Sequence, residues 1–498
     1  MDIPTRPADP VVGALLRSRF HRPLSRSLLL LTYLGRRTGR ARTLPVMYAR
    51  SGGDLYVLVG RADHKTWWRN LRPAAPVRLL LAGRTTDATA EVLDSAAAPG
   101  ETAAALRAYR RRHPRVRLSG ERVVMVRLRP RRTPARPEPG EPVNRRIVVS
   151  RYGGPEMMRL TEEAVPRPGP GEIRVAVTAA EVNFTDLLLR EGVYSGGPKP
   201  PFTPGYVLAG VVDALGPGTE GWKPGQRVAA MTVHGAYTDY VCLPARAAVP
   251  VPPGVDPLRA VSVVFTYATA HQLLHRAAGV RAGARVLYQG AAGAVGTAVL
   301  QLGQLYGLEM YGTASGDGLA RVAALGATAI DYTAENVARR VREETRGGAD
   351  VVLDGIGGRT AWSSYRALRP GGRLVLFGYS AALSHGRRSP LRTLGFFPAT
   401  APVLLAGALP GGRKVSTYRI AVLRDRHPDW YREDVRTLFG LLARGGISPA
   451  SPGTLPLEQA ALAHERIGSG TAGAGKQVLL CRAAAGRDPG GAPGAPVP

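Results

Sequence analysis

Cysteine is nearly absent from this chain. Two thiols in 498 residues, Cys242 and Cys481, exclude a disulfide framework and any zinc cluster built on cysteine. Also missing is a run of about 18 uninterrupted apolar residues, so no membrane-spanning helix is expected. The nearest approach, Leu394 to Leu409, is broken by Pro398 and Pro402 and reads as buried or interfacial helix and loop. The opening MDIPTRPADP has no apolar stretch behind a basic start, so no secretory signal is read and a cytoplasmic location is expected. Lysine is scarce too: five of the 67 basic residues are lysine and the rest are arginine, against 37 acidic residues.

The resulting charge of +30 invites a nucleic-acid reading, but arginine, alanine, glycine and proline are abundant together, as in a GC-rich coding sequence. No nucleic-acid partner is expected. The charge is uneven: residues 1–140 hold 28 basic against 10 acidic side chains, so +18 lies there, and an anionic ligand for that part is expected. Length alone predicts about three domains. PRRTPARPEPGEP has five prolines and no apolar periodicity, which marks residues 131–145 as an extended linker. Residues 483–498 read as a disordered tail.

Between linker and tail the pattern changes twice. Residues 146–265 carry short apolar or alternating runs (IRVAV, GVVDAL, RVAAM, DYVCL) separated by Pro-Gly turns, the pattern of a β domain. Residues 266–400 alternate strands with helical segments, which predicts right-handed βαβ units on a parallel, doubly wound sheet. The first such strand, RVLYQ, runs into GAAGAVG, residues Gly290, Ala291, Ala292, Gly293, Ala294, Val295 and Gly296. This is a dinucleotide turn: the first glycine allows the bend, the second admits a pyrophosphate, and the third lets the helix pack on the sheet. The second strand ends near Thr313 and Ser315, with Arg321 beyond. A hydroxyl and a guanidinium there favour a 2′-phosphate, hence NADPH, with Asp317 as a counter-signal; Tyr332 joins the coenzyme-binding candidates.

VNFTDLLLREGVY, PKPPFTPGYVLAGVV, KPGQRVAAM, GAAGAVGTAVLQL, ALGATAIDY, DVVLDGIGG and PGGRLVLFG occur in that order. The segment from Ile147 to Cys481 thereby resembles the medium-chain dehydrogenase/reductase superfamily, in its zinc-independent quinone oxidoreductase branch with VAT-1-like proteins. The resemblance implies a GroES-like substrate domain, completed at about 450–482 by LPLEQAALAHERI and KQVLLC, a Rossmann NADP-binding domain, and a cleft between them. Zinc-dependent relatives hold the metal with Cys, a His-Glu pair and a further Cys or Asp. Here Phe184, Tyr206 and Val207 stand at those positions, so no metal is expected. Without a Lewis acid, the expected chemistry is hydride transfer from NADPH to a quinone or an activated C=C of enone or enoyl type. The resemblance implies Asn183 near the nicotinamide and Tyr194 as a contact or proton donor to the acceptor. Alternatively, Asn183 ties a turn and Tyr194 is an aromatic wall. Asp186 reads as structural and Cys242 as a buried, inert thiol. A homodimer is left open, as is a non-catalytic NADPH-binding interaction protein.

The front third reads strand, basic loop, strand, Gly-Gly turn, strand, then a Trp-rich segment and further strands, which predicts a small antiparallel barrel. GRRTGRARTLPV and the HxxWWxNL segment (His64, Trp67, Trp68, Asn70) are similar to the deazaflavin-dependent nitroreductase family, split β-barrels that bind coenzyme F-420. That coenzyme carries a phosphate and a glutamate tail. The resemblance implies that Arg36, Arg37, Arg40 and Arg42 hold these anions. Otherwise the arginines form a solvated loop and the tryptophans fill the core, and FMN is the competing cofactor. Two reductase modules on one chain are expected, either acting separately or with the Rossmann part supplying reducing equivalents to the barrel.

Overall fold

The structure is a computed structural model that describes residues 9–17, 21–36, 41–72, 74–116, 118, 122–130, 142–194, 196–378, 380–384, 387–388, 390–408, 412–471 and 476–481. Arg37 and Arg40, linker residues 131–141 and the tail lie outside the described residues.

The front module is a split barrel built on one antiparallel sheet. Its strands are β1 (Leu28–Leu34), β2 (Ala41–Met47), β3 (Ala49–Ser51), β4 (Asp54–Leu58), β5 (Ala75–Leu81), β6 (Arg84–Asp94) and β7 (Val124–Pro130), in the order β2-β1-β5-β6-β7-β4-β3. Alternation in LLLLTYL and DLYVL puts Leu29, Leu31, Tyr33, Leu55 and Val57 inside. Helix Pro99–Arg112 packs on β3, β4 and β7 through Ala105 and Tyr109. Asp94 is buried at the end of β6 and is held by Arg72 and Arg122 at 2.5 and 2.7 Å. The Arg122 hydrogen bond pulls its carboxyl down to about 2.

The second module begins with the β8 (Val143–Val149) and β9 (Met158–Ala164) pair. Strands β10 (Glu172–Val182), β11 (Val207–Leu215), β12 (Arg227–Met231), β13 (Tyr240–Pro244) and β14 (Ala248–Pro250) form the GroES-like sheet. A helical run from Pro257 to Ala278, with π-helical turns at Val263–Tyr267 and Leu273–Ala278, leads out of it. The Rossmann sheet follows: β15 (Arg285–Gln289), β16 (Glu309–Ala314), β17 (Thr328–Asp331), β18 (Ala349–Asp354) and β19 (Leu368–Leu376). After a short hairpin, β20 (Leu383–Ser384) and β21 (Arg387–Arg388), comes an edge strand, β22 (Lys414–Thr417). The order β17-β16-β15-β18-β19-β22 is parallel throughout and doubly wound about β15. The chain then returns: β23 (Gly453–Pro456) pairs with β24 (Gln477–Leu480), which pairs with β10.

The apolar stretch near 394–409 is mostly helix, Pro390–Ala406, with both prolines inside it and Leu404 and Leu405 exposed. Among the described residues no helix is long and apolar enough to cross a membrane.

Candidate active site

The glycine turn sits at the end of β15, beside the point where the strand order reverses. Its three glycines are glycine for three different reasons. Gly290 has φ +76°, a left-handed conformation that side chains disfavour. At Gly296 a Cβ would fall 2.4 Å from the Ala291 carbonyl oxygen, so the helix could not seat. At Gly293 the backbone is extended (φ −80°, ψ 171°) and a Cβ would meet only the Gly290 carbonyl, at 3.5 Å. Among the described residues nothing crowds a Cβ at Gly293, and the space there suits a ligand.

The amides divide likewise. Gly290 N–H donates to the Thr313 hydroxyl and Ala291 N–H to the Thr313 carbonyl, both at 2.8 Å, and Gly293 N–H to the Gly290 carbonyl at 3.2 Å. Ala291 is fully buried. Ala294, Val295 and Gly296, in the first turn of helix Ala294–Leu305, have no helical carbonyl four residues back. With Ala292 they are the members of the predicted set placed to donate to a pyrophosphate, where the helix dipole adds to the attraction. The residues present therefore fit a dinucleotide.

Sequence reasoning missed what holds the turn in place. Thr313 is buried and its hydroxyl donates to Gln289 at 3.0 Å; Gln289 donates to Ser364, and Ser364 to the buried Asp354 at 2.9 Å. Asp354 also accepts the amides of Ile356 and Gly357. Burial raises the Asp354 carboxyl above its ordinary range. One polar chain thus ties the ends of β15, β16 and β18 beneath the turn.

Strand β16 ends at Ala314, so Ser315 follows it directly, and its hydroxyl lies 3.0 Å from the Tyr332 hydroxyl. A Cβ on Gly318 would come 2.9 Å from that of Ala292, so helix Gly318–Ala324 starts against the glycine turn. The exposed Arg321 reaches back over that start, 3.8 Å from the same Cβ position. Ser315, Arg321 and Tyr332 therefore surround the edge of the turn where a ribose phosphate would project. Asp317 is exposed, three residues past the strand end. NADPH is expected to bind about tenfold more tightly than NADH, a difference of about 1.4 kcal/mol. In the Ser315→Ala/Arg321→Ala variant the two dissociation constants should converge, as calorimetry can read. A preference that survives both changes would show that other groups hold the phosphate.

In the GroES-like module, Asn183 precedes helix Phe184–Arg190. Its amide donates to the Asp186 carboxylate at 2.9 Å, and its side chain donates to the Glu181 carbonyl at 3.4 Å. Asp186 also accepts the Gly205 amide at 3.2 Å. This fully buried carboxylate thus ties Asn183 to the segment before Tyr206. Burial raises its pKa to about 7. Tyr194 and Tyr206 bring their hydroxyls to 3.0 Å, and Tyr206 packs on Phe265 of the first π turn, ring centroids 4.8 Å apart. Burial pushes the Tyr206 phenol well up, with Arg424 opposing. Arg424, which the sequence did not flag, donates to the Met231 carbonyl. Tyr206, which stands in sequence where zinc-dependent relatives carry a metal ligand, is thus engaged with a second phenol. Phe184, Val207 and a tyrosine already bonded to another tyrosine do not fit zinc.

In the barrel, Arg36 N–H donates to the Asn70 side-chain oxygen at 3.0 Å, joining the arginine loop to the Trp-rich segment. Tyr33, unflagged by sequence, stands opposite Arg42 in the β1–β2 register and lies 6.2 Å from Trp67, ring to ring. Arg36, Arg42, Trp67 and Asn70 thus come together. His64 is exposed. Trp68 is core: it is buried, its indole N–H donates to the Ala62 carbonyl at 3.1 Å, and Arg72 and Arg122 lie over its ring. The chemistry of the exposed arginines fits a phosphorylated, carboxylated coenzyme.

Three family models match the chain: F-420H(2)-dependent quinone reductase over residues 17–116, alcohol dehydrogenase GroES-like domain over 169–253, and zinc-binding dehydrogenase over 294–400. The rat synaptic vesicle membrane protein VAT-1 homolog is 29% identical over 66% of this chain and 81% of its own length. Rat quinone oxidoreductase is 27% identical over 68% of this chain and 99% of its own. Among solved structures, a Pseudomonas syringae quinone oxidoreductase superposes with a TM-score of 0.60 at 29% identity, covering 68% of this chain and 99% of that one. A mycobacterial protein solved in complex with NADPH gives 0.59 at 29% identity, with the same coverage.

Proposed function

We propose, for a chain that is an NADPH-dependent oxidoreductase joining a split barrel of the coenzyme F-420-dependent quinone reductase kind to a quinone oxidoreductase and VAT-1-like medium-chain dehydrogenase/reductase, that its acceptor is a quinone or a C=C bond conjugated to a carbonyl. The observation that carries this reading is the Tyr194–Tyr206 hydroxyl pair, 3.0 Å apart, with Tyr206 at the sequence position of a metal ligand in zinc-dependent relatives. NADPH, when bound, supplies a hydride. Tyr194 hydrogen-bonds the acceptor oxygen and stabilises the charge that develops there. Tyr206, kept neutral by burial, holds the Tyr194 hydroxyl in place. Asn183 orients the ring that delivers the hydride, and Asp186 fixes Asn183.

Tyr194→Phe removes the donor and nothing of the wall. Its kcat with a quinone should fall by about 100-fold, the lower range for a lost general acid, while the NADPH dissociation constant stays unchanged. An unaltered kcat would make Tyr194 a wall residue.

A second reading is favoured by the convergence of Arg36, Arg42, Trp67 and Asn70: the barrel binds a deazaflavin of the coenzyme F-420 type, and the Rossmann module feeds it. We take residues 1–130 as this module, 131–145 as its linker, 146–265 with about 450–482 as the substrate domain and 266–400 as the coenzyme domain. Arg36→Ala/Arg42→Ala should weaken deazaflavin binding at least about tenfold, each charged contact contributing roughly 1.5–3 kcal/mol, and binding should fall with salt. Fluorescence titration of the full chain checks this, with FMN as control. Tight FMN binding without deazaflavin binding would overturn the assignment.

A further inference from the structure

We infer that the face of the barrel around the end of helix Pro99–Arg112 is a docking surface for the anionic headgroups of a lipid bilayer. Arg26, Arg110, Arg111, Arg112 and Arg115 are all exposed there. Their proximity is fixed by contacts: Arg112 donates to the Arg26 carbonyl and Arg111 to the Ser51 hydroxyl, each at 3.4 Å.

Arginine-rich composition does not explain the cluster. Arginines in other parts of the chain do pair with acids, as in Arg339–Glu343, Arg340 with Glu335 and Glu344, Arg369–Asp350 and Arg276–Glu433. Among the described residues, none of the five forms an ion pair with a carboxylate. A helix C-terminus offers about half a negative charge, too little to balance them. Like charges packed this closely repel, so the face is suited to an external anion array.

The patch is distinct from the coenzyme loop. In the β1–β2 hairpin Leu28 faces Met47 at one end and Leu34 faces Ala41 at the other. Arg26 lies beyond the first end; Arg36 and Arg42 lie at the second. Tyr48 and Tyr109 beside the patch are buried, so no aromatic face is offered to stacked bases. A bilayer is favoured because apolar quinones dissolve in its hydrocarbon; this choice rests on the quinone reading above. No described helix spans a membrane, so the attachment is peripheral.

The test is co-sedimentation of the full chain with phosphatidylcholine vesicles, with and without phosphatidylglycerol. Binding should require phosphatidylglycerol and be lost as salt rises. Arg110→Gln/Arg111→Gln/Arg112→Gln should lower the partition coefficient about 100-fold, roughly fivefold per charge. Arg339→Gln/Arg340→Gln/Arg342→Gln, with the same net charge, should leave it unchanged. NADPH binding should be equal in both variants and reports an intact fold. Equal losses in the two triple variants, or no preference for phosphatidylglycerol, would overturn the inference. So would patch-dependent capture of duplex DNA with no vesicle binding. Patch-dependent vesicle binding in a chain that reduces no quinone would leave this inference standing and sink the functional reading alone.

Discussion

Gly293→Val is expected to lose NADPH binding by at least about 100-fold without loss of stability, whereas Gly296→Val is expected to unfold the Rossmann module. Valine adopts the extended backbone of Gly293 without strain, and its Cβ would meet only one carbonyl, at 3.5 Å. The isopropyl group fills the space that a pyrophosphate needs, and the ligand loses its contacts to the amides of the first helical turn. Two charge-assisted hydrogen bonds of roughly 1.5–3 kcal/mol each correspond to about 100-fold or more in affinity. At Gly296 the Cβ would stand 2.4–2.7 Å from three backbone atoms of Ala291, and no rotamer relieves that. Melting curves with and without NADPH separate the two outcomes. Gly293→Val protein that is still stabilised by NADPH would remove the basis for the coenzyme site.

The second large effect is one of pH. Asp186 is fully buried, and desolvation raises its pKa to about 7 against two amide hydrogen bonds that lower it. The folded state therefore holds a proton that the unfolded carboxyl, near 4, has released. The stability this group contributes is full below about pH 4 and is lost as pH rises through 7, by about 4 kcal/mol in total. Asp186→Asn cannot titrate. The variant should be less stable than the parent in acid, because its side-chain amide cannot accept both the Asn183 and Gly205 N–H groups. It should gain on the parent by about 4 kcal/mol between pH 4 and 8. Asp94 works in the opposite sense: with its carboxyl pulled down to about 2, its contribution is lost as pH falls from 4 towards 2. Urea denaturation of both proteins across pH 4 to 8 checks the gap. A constant gap would mean that Asp186 is ionised throughout.

Much of the architecture is legible because it is written locally. Period-two alternation in LLLLTYL, Pro-Gly turns between short strands and the strand-glycine-helix order at 285–305 each encode a local structure that tertiary contacts do not reverse. The same holds for the end of the second Rossmann strand, where Ser315 follows a strand that ends at Ala314. Long-range partnerships were not legible. Nothing near Thr313 announces that its hydroxyl supports the Gly290 amide, or that Ser364 and Asp354 complete the support. A glutamine and an aspartate closing the strands RVLYQ and ADVVLD after apolar central residues were the available signal. Arg424 and Tyr33 act through distant neighbours and left no local trace. Trp68 shows the converse: a Trp-Trp pair sets one ring beside Tyr33 and buries the other in the core, and only packing decides which.

The central claim is that this chain passes a hydride from NADPH to a quinone. A single-turnover experiment tests it directly: the full chain is loaded with NADPH, mixed with a quinone, and both oxidation states are followed together. The account predicts one NADPH oxidised for each quinone reduced, with no deazaflavin present and with Gly293→Val inert. Bound NADPH that stays reduced while reduced deazaflavin alone drives quinone loss would contradict it.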